Sequence, residues 1–183
     1  MNAVMNLKLV RLSEISLADI IALHNDSRVL RHLPLAVGGF DAHQCQQWVE
    51  SKEAQWQTNG YGPWGILIND EFAGWGGLQK EMGEADLGLV LSPDYWGYGK
   101  RICQKIIEIA FEQMNLASVT ALLPPSRSCT NGMLRFGFQP DGQVEVSGTI
   151  FLRFRLLAPR QVVAVTAQPI IPPDLAHKAA HSR

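Results

Sequence analysis

The order of apolar and polar positions divides the chain into alternating strand-like and helix-like runs. LKLVRLS (7–13) alternates well enough to predict a first β-strand. In SLADIIALHND, Ser16 and Asp19 have the spacing of a helix cap and its reciprocal partner, and Leu17, Ile20, Ile21 and His24 would share a face. FDAHQCQQWVESKEAQWQTNG predicts a second helix, opened by Asp41 and stopped by Gly60. PWGILI and EFAGWGGLQ read as two strands joined by a hairpin turn at Asn69-Asp70. ADLGLVLSP is apolar enough for a central strand. KRICQKIIEIAFEQM is the clearest helix, with Ile102, Ile106, Ile109 and Ala110 on one face. SVTALL predicts a strand, SCTNGMLRFGF a short glycine-weakened helix, and TIFLRFRLL a late strand. Helices set among strands imply parallel pairings, while the 61–79 hairpin makes the first half antiparallel. The expectation is a mixed α/β sheet.

Composition narrows the class. At 183 residues the chain suits one domain. Apolar residues at 46%, charged residues at 18% and a formal net charge of -1 are ordinary for a globular protein and point to no nucleic acid or membrane partner. Cys45, Cys103 and Cys129 are scattered without a C-x-x-C pair, which argues against a disulfide framework or zinc site and fits a reducing compartment. No basic-then-apolar leader opens the chain, so a cytoplasmic protein is expected. His24 and His43 have no partner at metal-ligand spacing. From Ala158 onward the sequence turns Pro- and Ala-rich, with four prolines and the apolar word VVAVT. That tail (158–183) reads as mobile or as a cap on a dimer partner, leaving 1–157 as the folded domain.

The stretch SPDYWGYGKR (92–101) crowds two glycines and two cations between a strand and a helix. Such a turn lets backbone approach a phosphate, with the next helix's free N–H groups pointing at it. It lacks the spacing of a P-loop or a Rossmann turn, so a plain tight turn stands beside a phosphate cradle.

ADLGLVLSPDYWGYGKR, IIEIAFEQMNLASVTALL and MLRFGF together resemble the GNAT N-acetyltransferases, in particular the branch that acetylates N-terminal amines of ribosomal proteins. The resemblance covers residues 7–157 in element order. It implies a mostly antiparallel central sheet of about seven strands flanked by about four helices. It also implies acetyl-CoA as donor, no metal, and pyrophosphate held by the segment Gly97, Tyr98, Gly99, Lys100 and Arg101. Two registers of the loop motif fit, with either Trp96 or Asp94 at the family's Gln/Arg position. Ser126 stands where relatives carry a coenzyme-contacting Asn, and Asn131 lies near but out of register. Met133 replaces a Tyr that protonates the leaving thiolate in some members. Cys129, with Ser128 beside it, matches the Ser that is the branch's candidate for that role; water is the other proton source.

Acetyl transfer to an amine needs a neutral amine, a polarised carbonyl and a proton for the thiolate. An α-amine of pKa near 8 costs roughly 1.4 kcal/mol to neutralise at pH 7, and a lysine amine roughly 4 to 5 kcal/mol. The base candidates are Asp86 and Glu84, each of which also reads as a solvent-facing carboxylate at a strand end. Leu89, Val90 or Leu91 would supply a backbone N–H to the carbonyl if their strand splays from its neighbour. Trp64 and Trp75 would wall a substrate pocket or pack between sheet and helix. Direct attack is expected over an acyl intermediate on Cys129. The acceptor expected by resemblance is a protein or peptide N-terminus, with a small amine second. Two rivals are a catalytically silent CoA-binding module and a site for another phosphate compound. The assembly expected is a monomer or homodimer.

Overall fold

The computed structural model describes residues 5–36, 39–124 and 130–159, so Ser126, Ser128, Cys129 and all but the first two residues of the 158–183 tail lie outside the described residues. Seven strands form one sheet in the order β1-β2-β3-β4-β5-β7-β6. They are β1 Leu7–Val10, β2 Pro63–Ile68, β3 Glu71–Glu81, β4 Glu84–Leu91, β5 Ser118–Leu123, β6 Gln139–Val146 and β7 Thr149–Leu157. Every neighbouring pair is antiparallel except β4–β5. The expected parallel character is therefore confined to one junction.

The described helices are α1 Leu17–Asn25, α2 Ser27–Leu30, α3 Ala42–Asn59, α4 Gly99–Glu112 and α5 Thr130–Arg135. α3 starts and stops where its sequence predicts. Asp41 accepts the Gln44 amide and Gln44 returns a side-chain acceptor to the Asp41 amide, while Gly60 closes the helix at φ 75°. α1 begins after Ser16, yet the Ser16 side chain makes no capping bond, so the box expected with Asp19 does not form. The first strand ends at Val10, and Leu12–Glu14 turns into a single 3-10 coil.

Two apolar layers clasp the sheet. On one face Ile20 and Leu23 of α1 and Cys45 and Val49 of α3 pack with Trp75 of β3 and Val90 of β4. On the other, Ile102, Ile106 and Ala110 of α4 pack with Leu87 and Leu91 of β4, Val119 and Ala121 of β5, and Phe154 of β7. Three of the four predicted stripe positions on α4, Ile102, Ile106 and Ala110, are fully buried, whereas Ile109 is only half-buried and Ile107 packs against this core instead. β4 sits at the middle of the sheet between both layers, and its side chains alternate between them.

Candidate active site

The junction of β4 and β5 is where the sheet comes apart. Only one Cα pair is in register between these parallel strands, Asp86 with Thr120, although β4 runs on to Leu91 and β5 to Leu123. Strand alternation says which backbone groups face the opening. Ser92 donates its amide to Ala73 of β3 (2.8 Å), so Ser92, Val90, Gly88 and Asp86 turn their backbone groups toward β3. Leu87, Leu89 and Leu91 turn theirs toward β5. The Leu91 carbonyl accepts the Trp96 indole N–H at 2.9 Å. Past the single registered pair, Leu89 carries an N–H into the gap, whereas the Val90 amide points the other way, into the β3 pairing.

On the α1/α3 face of this junction stands Asp86. Its carboxyl accepts the Thr120 hydroxyl at 2.9 Å. Burial pushes its pKa up from 3.8 to about 7, the Thr120 bond opposes that, and the charge of Glu81 adds to it. Glu84, the other candidate base, is held differently. Arg155 grips both its oxygens at 2.7 Å and lowers its pKa, so it stays an anion committed to an ion pair. Asp86, Thr120, Glu81 and Arg153 line a small pocket together.

Beyond β4, Pro93–Tyr98 coils as a 3-10 turn and runs into α4 at Gly99. Tyr98 makes no side-chain cap, and Lys100 and Arg101 are exposed. Gly97 and Gly99 need no left-handed backbone, as Gly99 sits at φ -51° and neither is among the positive-φ glycines. A Cβ on Gly97 would meet nothing within 4 Å, and one on Gly99 only the tips of Leu89 and Leu91 at 3.8 and 3.9 Å. Neither conformation nor internal packing requires glycine here; a bare backbone at the head of a 14-residue helix suits an external phosphate group. Residues, gap and cations thus fit an extended thioester coenzyme bearing a pyrophosphate. Tyr95 anchors the turn, its hydroxyl donating to Glu71 at 2.7 Å.

Trp64 and Trp75 do not wall one pocket. In the β2–β3 register Trp75 stands opposite Gly65 and Trp64 opposite Gly76, which sends the two indoles to opposite faces. Trp64 packs on the α4-side core with its ring edge-on to Trp56 at 4.8 Å. Trp75 is 7% exposed, donates to His24 Nε2 at 3.0 Å and meets Trp48 edge-on at 5.0 Å. Burial, with the nearby Lys52 charge second, lowers His24 to about 4. Lys52 lies 5.6 Å over both the Trp48 and Trp75 rings and donates to the Gln79 side chain. Asn131 is exposed on α5, the helix that follows β5, and Met133 packs against the α4-side core with no proton to give. Among the described residues no group of three or more His, Cys, Asp or Glu converges as metal ligands. No described helix is long and apolar enough to cross a membrane.

Sequence reading missed Thr120 and Arg153. Both lie on strands whose facing residues are fixed by pairings between distant segments, and no local pattern marks them.

The family profile described as "Acetyltransferase (GNAT) domain" matches residues 6–126. Among solved structures, an acetyltransferase of Agrobacterium tumefaciens superposes at TM-score 0.67 with 19% identity, over 85% of this chain and 95% of that one. A proposed ribosomal-protein-serine acetyltransferase of Vibrio cholerae superposes at 0.63 with 19% identity, over 82% and 93%. A spermidine N-acetyltransferase of Vibrio cholerae, in complex with CoA and spermine, superposes at 0.63 with 13% identity, over 84% and 95%.

Proposed function

The chain belongs to the GNAT acetyltransferases and takes acetyl-CoA as its co-substrate, and we propose that it acetylates the α-amine of a peptide or protein N-terminus, with Asp86 as general base. The observation that carries this reading is the Asp86 carboxyl, lifted to about 7 at the mouth of the splayed β4–β5 junction.

The lifted pKa matches an α-amine. Taking a proton from an ammonium of pKa near 8 onto a base near 7 is uphill by only about 1.4 kcal/mol, whereas a lysine ammonium near 10.4 would cost about 4.6 kcal/mol. Leu89 lies three residues further along β4, about 10 Å at strand rise. The proton therefore crosses to Asp86 through one or two waters.

In the reaction, Gly97–Arg101 would hold the coenzyme's pyrophosphate and the gap would take its thioester arm. The Leu89 N–H donates to the thioester carbonyl and holds the negative charge that develops there. The neutral amine, whose ammonium proton Asp86 has taken, forms the new C–N bond; the C–S bond then breaks, and the proton the nitrogen loses passes through water to the departing thiolate. The V. cholerae structure named for ribosomal-protein serine supports a protein acceptor and the spermidine enzyme supports a small amine; the pKa match favours an α-amine.

The test is acetyl-CoA turnover against short peptides with free α-amines, the same peptides blocked at the α-amine but carrying lysine, and spermidine. Transfer to free α-amines is expected. Transfer only to spermidine or lysine would overturn the acceptor assignment.

A further inference from the structure

We propose that Arg153 reads an anionic oxygen group on the acceptor, so that the acceptor is an amine bearing a carboxylate. This rests on the amine-acetylating site described above and specifies its substrate class.

Register fixes the position of Arg153. Asp86 pairs with Thr120, so two residues forward along both parallel strands Gly88 comes level with Leu122. Leu122 in turn pairs with Arg153 across the antiparallel β5–β7 ladder. Arg153 therefore rises from the far bank of the gap, one residue from the level of the Leu89 amide. It lines the same pocket as Asp86 and Thr120. Between the banks the floor is bare: a Cβ on Gly88 would meet only the Gln79 amide nitrogen, at 3.2 Å. An amine coming over Gly88 has Asp86 behind it and Arg153 in front.

The bonding of the two neighbouring arginines differs. Arg155 has all three nitrogens engaged, donating to Glu84, Asp141 and Ser118 at 2.7 to 3.1 Å. Arg153 is held only by its Nε, which donates to the Asp141 carbonyl at 3.0 Å and lies 3.0 Å from the Asp141 carboxylate. Among the described residues nothing bonds its two terminal nitrogens. An oriented guanidinium with its fork open matches a carboxylate with two parallel bonds. Lys52, bonded to Gln79 on the near bank, adds a second positive charge. Glu81 and Glu84 line the same pocket, Glu84 being paired with Arg155, so what favours a carboxylate there is the open Arg153 fork itself and not the overall charge.

The experiment compares C-terminally amidated Ser-Glu and Ser-Gln peptides, free glutamate and spermidine at saturating acetyl-CoA, for wild type, Arg153→Gln and Arg153→Lys. Wild type is expected to prefer the carboxylate-bearing acceptor over its neutral counterpart by about ten- to a hundredfold in kcat/KM, the worth of a charge-assisted pair. Arg153→Gln should bring the Ser-Glu to Ser-Gln ratio of kcat/KM down to about one; Arg153→Lys, which keeps the charge without the fork, should retain part of the preference. Unchanged CoA affinity in the variants shows that they are folded. A preference for the acidic peptide assigns the carboxylate to a neighbouring residue of a protein; a preference for glutamate assigns it to a small molecule. Equal rates on Ser-Glu and Ser-Gln, or a preference that survives Arg153→Gln, would overturn the proposal and leave the α-amine reading intact. Transfer to spermidine alone would overturn both.

Discussion

The Thr120 hydroxyl donates to the Asp86 carboxyl at 2.9 Å, across the one Cα pair that registers β4 with β5. This bond opposes the upward push of burial on Asp86. Thr120→Val removes it while keeping the shape. The acidic limb of kcat/KM is then expected to move to higher pH by about half a unit to one unit, the net worth of one hydrogen bond. A pH–rate series on the two proteins reads the shift.

Asp86 should also weaken the fold it serves. Its pKa is near 3.8 unfolded and about 7 folded, so the folded chain holds the proton more tightly. That contribution to stability is fully present below the unfolded value and is lost as pH rises toward 7. Asp86→Asn, neutral at every pH, should therefore be more stable than wild type at pH 8, by up to about 4 kcal/mol. The advantage should vanish near pH 4. Urea titrations at the two pH values measure it.

Gly97 is predicted to matter to coenzyme and not to folding. Alanine there meets no neighbouring atom within 4 Å and needs no unusual backbone. Gly97→Ala should leave the melting temperature nearly unchanged and weaken CoA binding by about tenfold or more, since a methyl would stand where phosphate must approach. Calorimetric titration with CoA decides it.

Trp75 is expected to behave as core. Its indole N–H satisfies His24 Nε2 at 3.0 Å in a cluster with Phe40 and Trp48. Trp75→Phe strands that nitrogen and should cost about 1 to 3 kcal/mol in urea denaturation.

Local chemistry made much of the fold readable. Asp41 and Gly60 bracket α3 through bonds within a few residues of each, and Asn69-Asp70 turns the hairpin with both residues at positive φ, 52° and 69°. β6 carries no such local signal. QPDGQVEV carries a proline and a glycine, and its pairing with β7 shifts register between Pro140 and Gln143, so no clean alternation shows along it. The opposed faces of Trp64 and Trp75 follow from the β2–β3 register, which the words PWGILI and EFAGWGGLQ do not reveal singly. The same holds for the site. Asp86 stands out as an acidic residue opening an apolar strand, but its bond to Thr120, the splay past it and the open fork of Arg153 arise from pairings between segments tens of residues apart.

The central claim is that Asp86 takes the acceptor's proton. The most direct measurement is the pH dependence of kcat/KM for acetyl transfer to a peptide α-amine, in wild type and Asp86→Asn. Wild type should fall with decreasing pH through two limbs, one near 7 from Asp86 and one near 8 from the amine itself. Asp86→Asn should keep only the limb near 8 and run about a hundredfold or more slower at its plateau. A variant with the wild-type profile and rate would contradict the assignment.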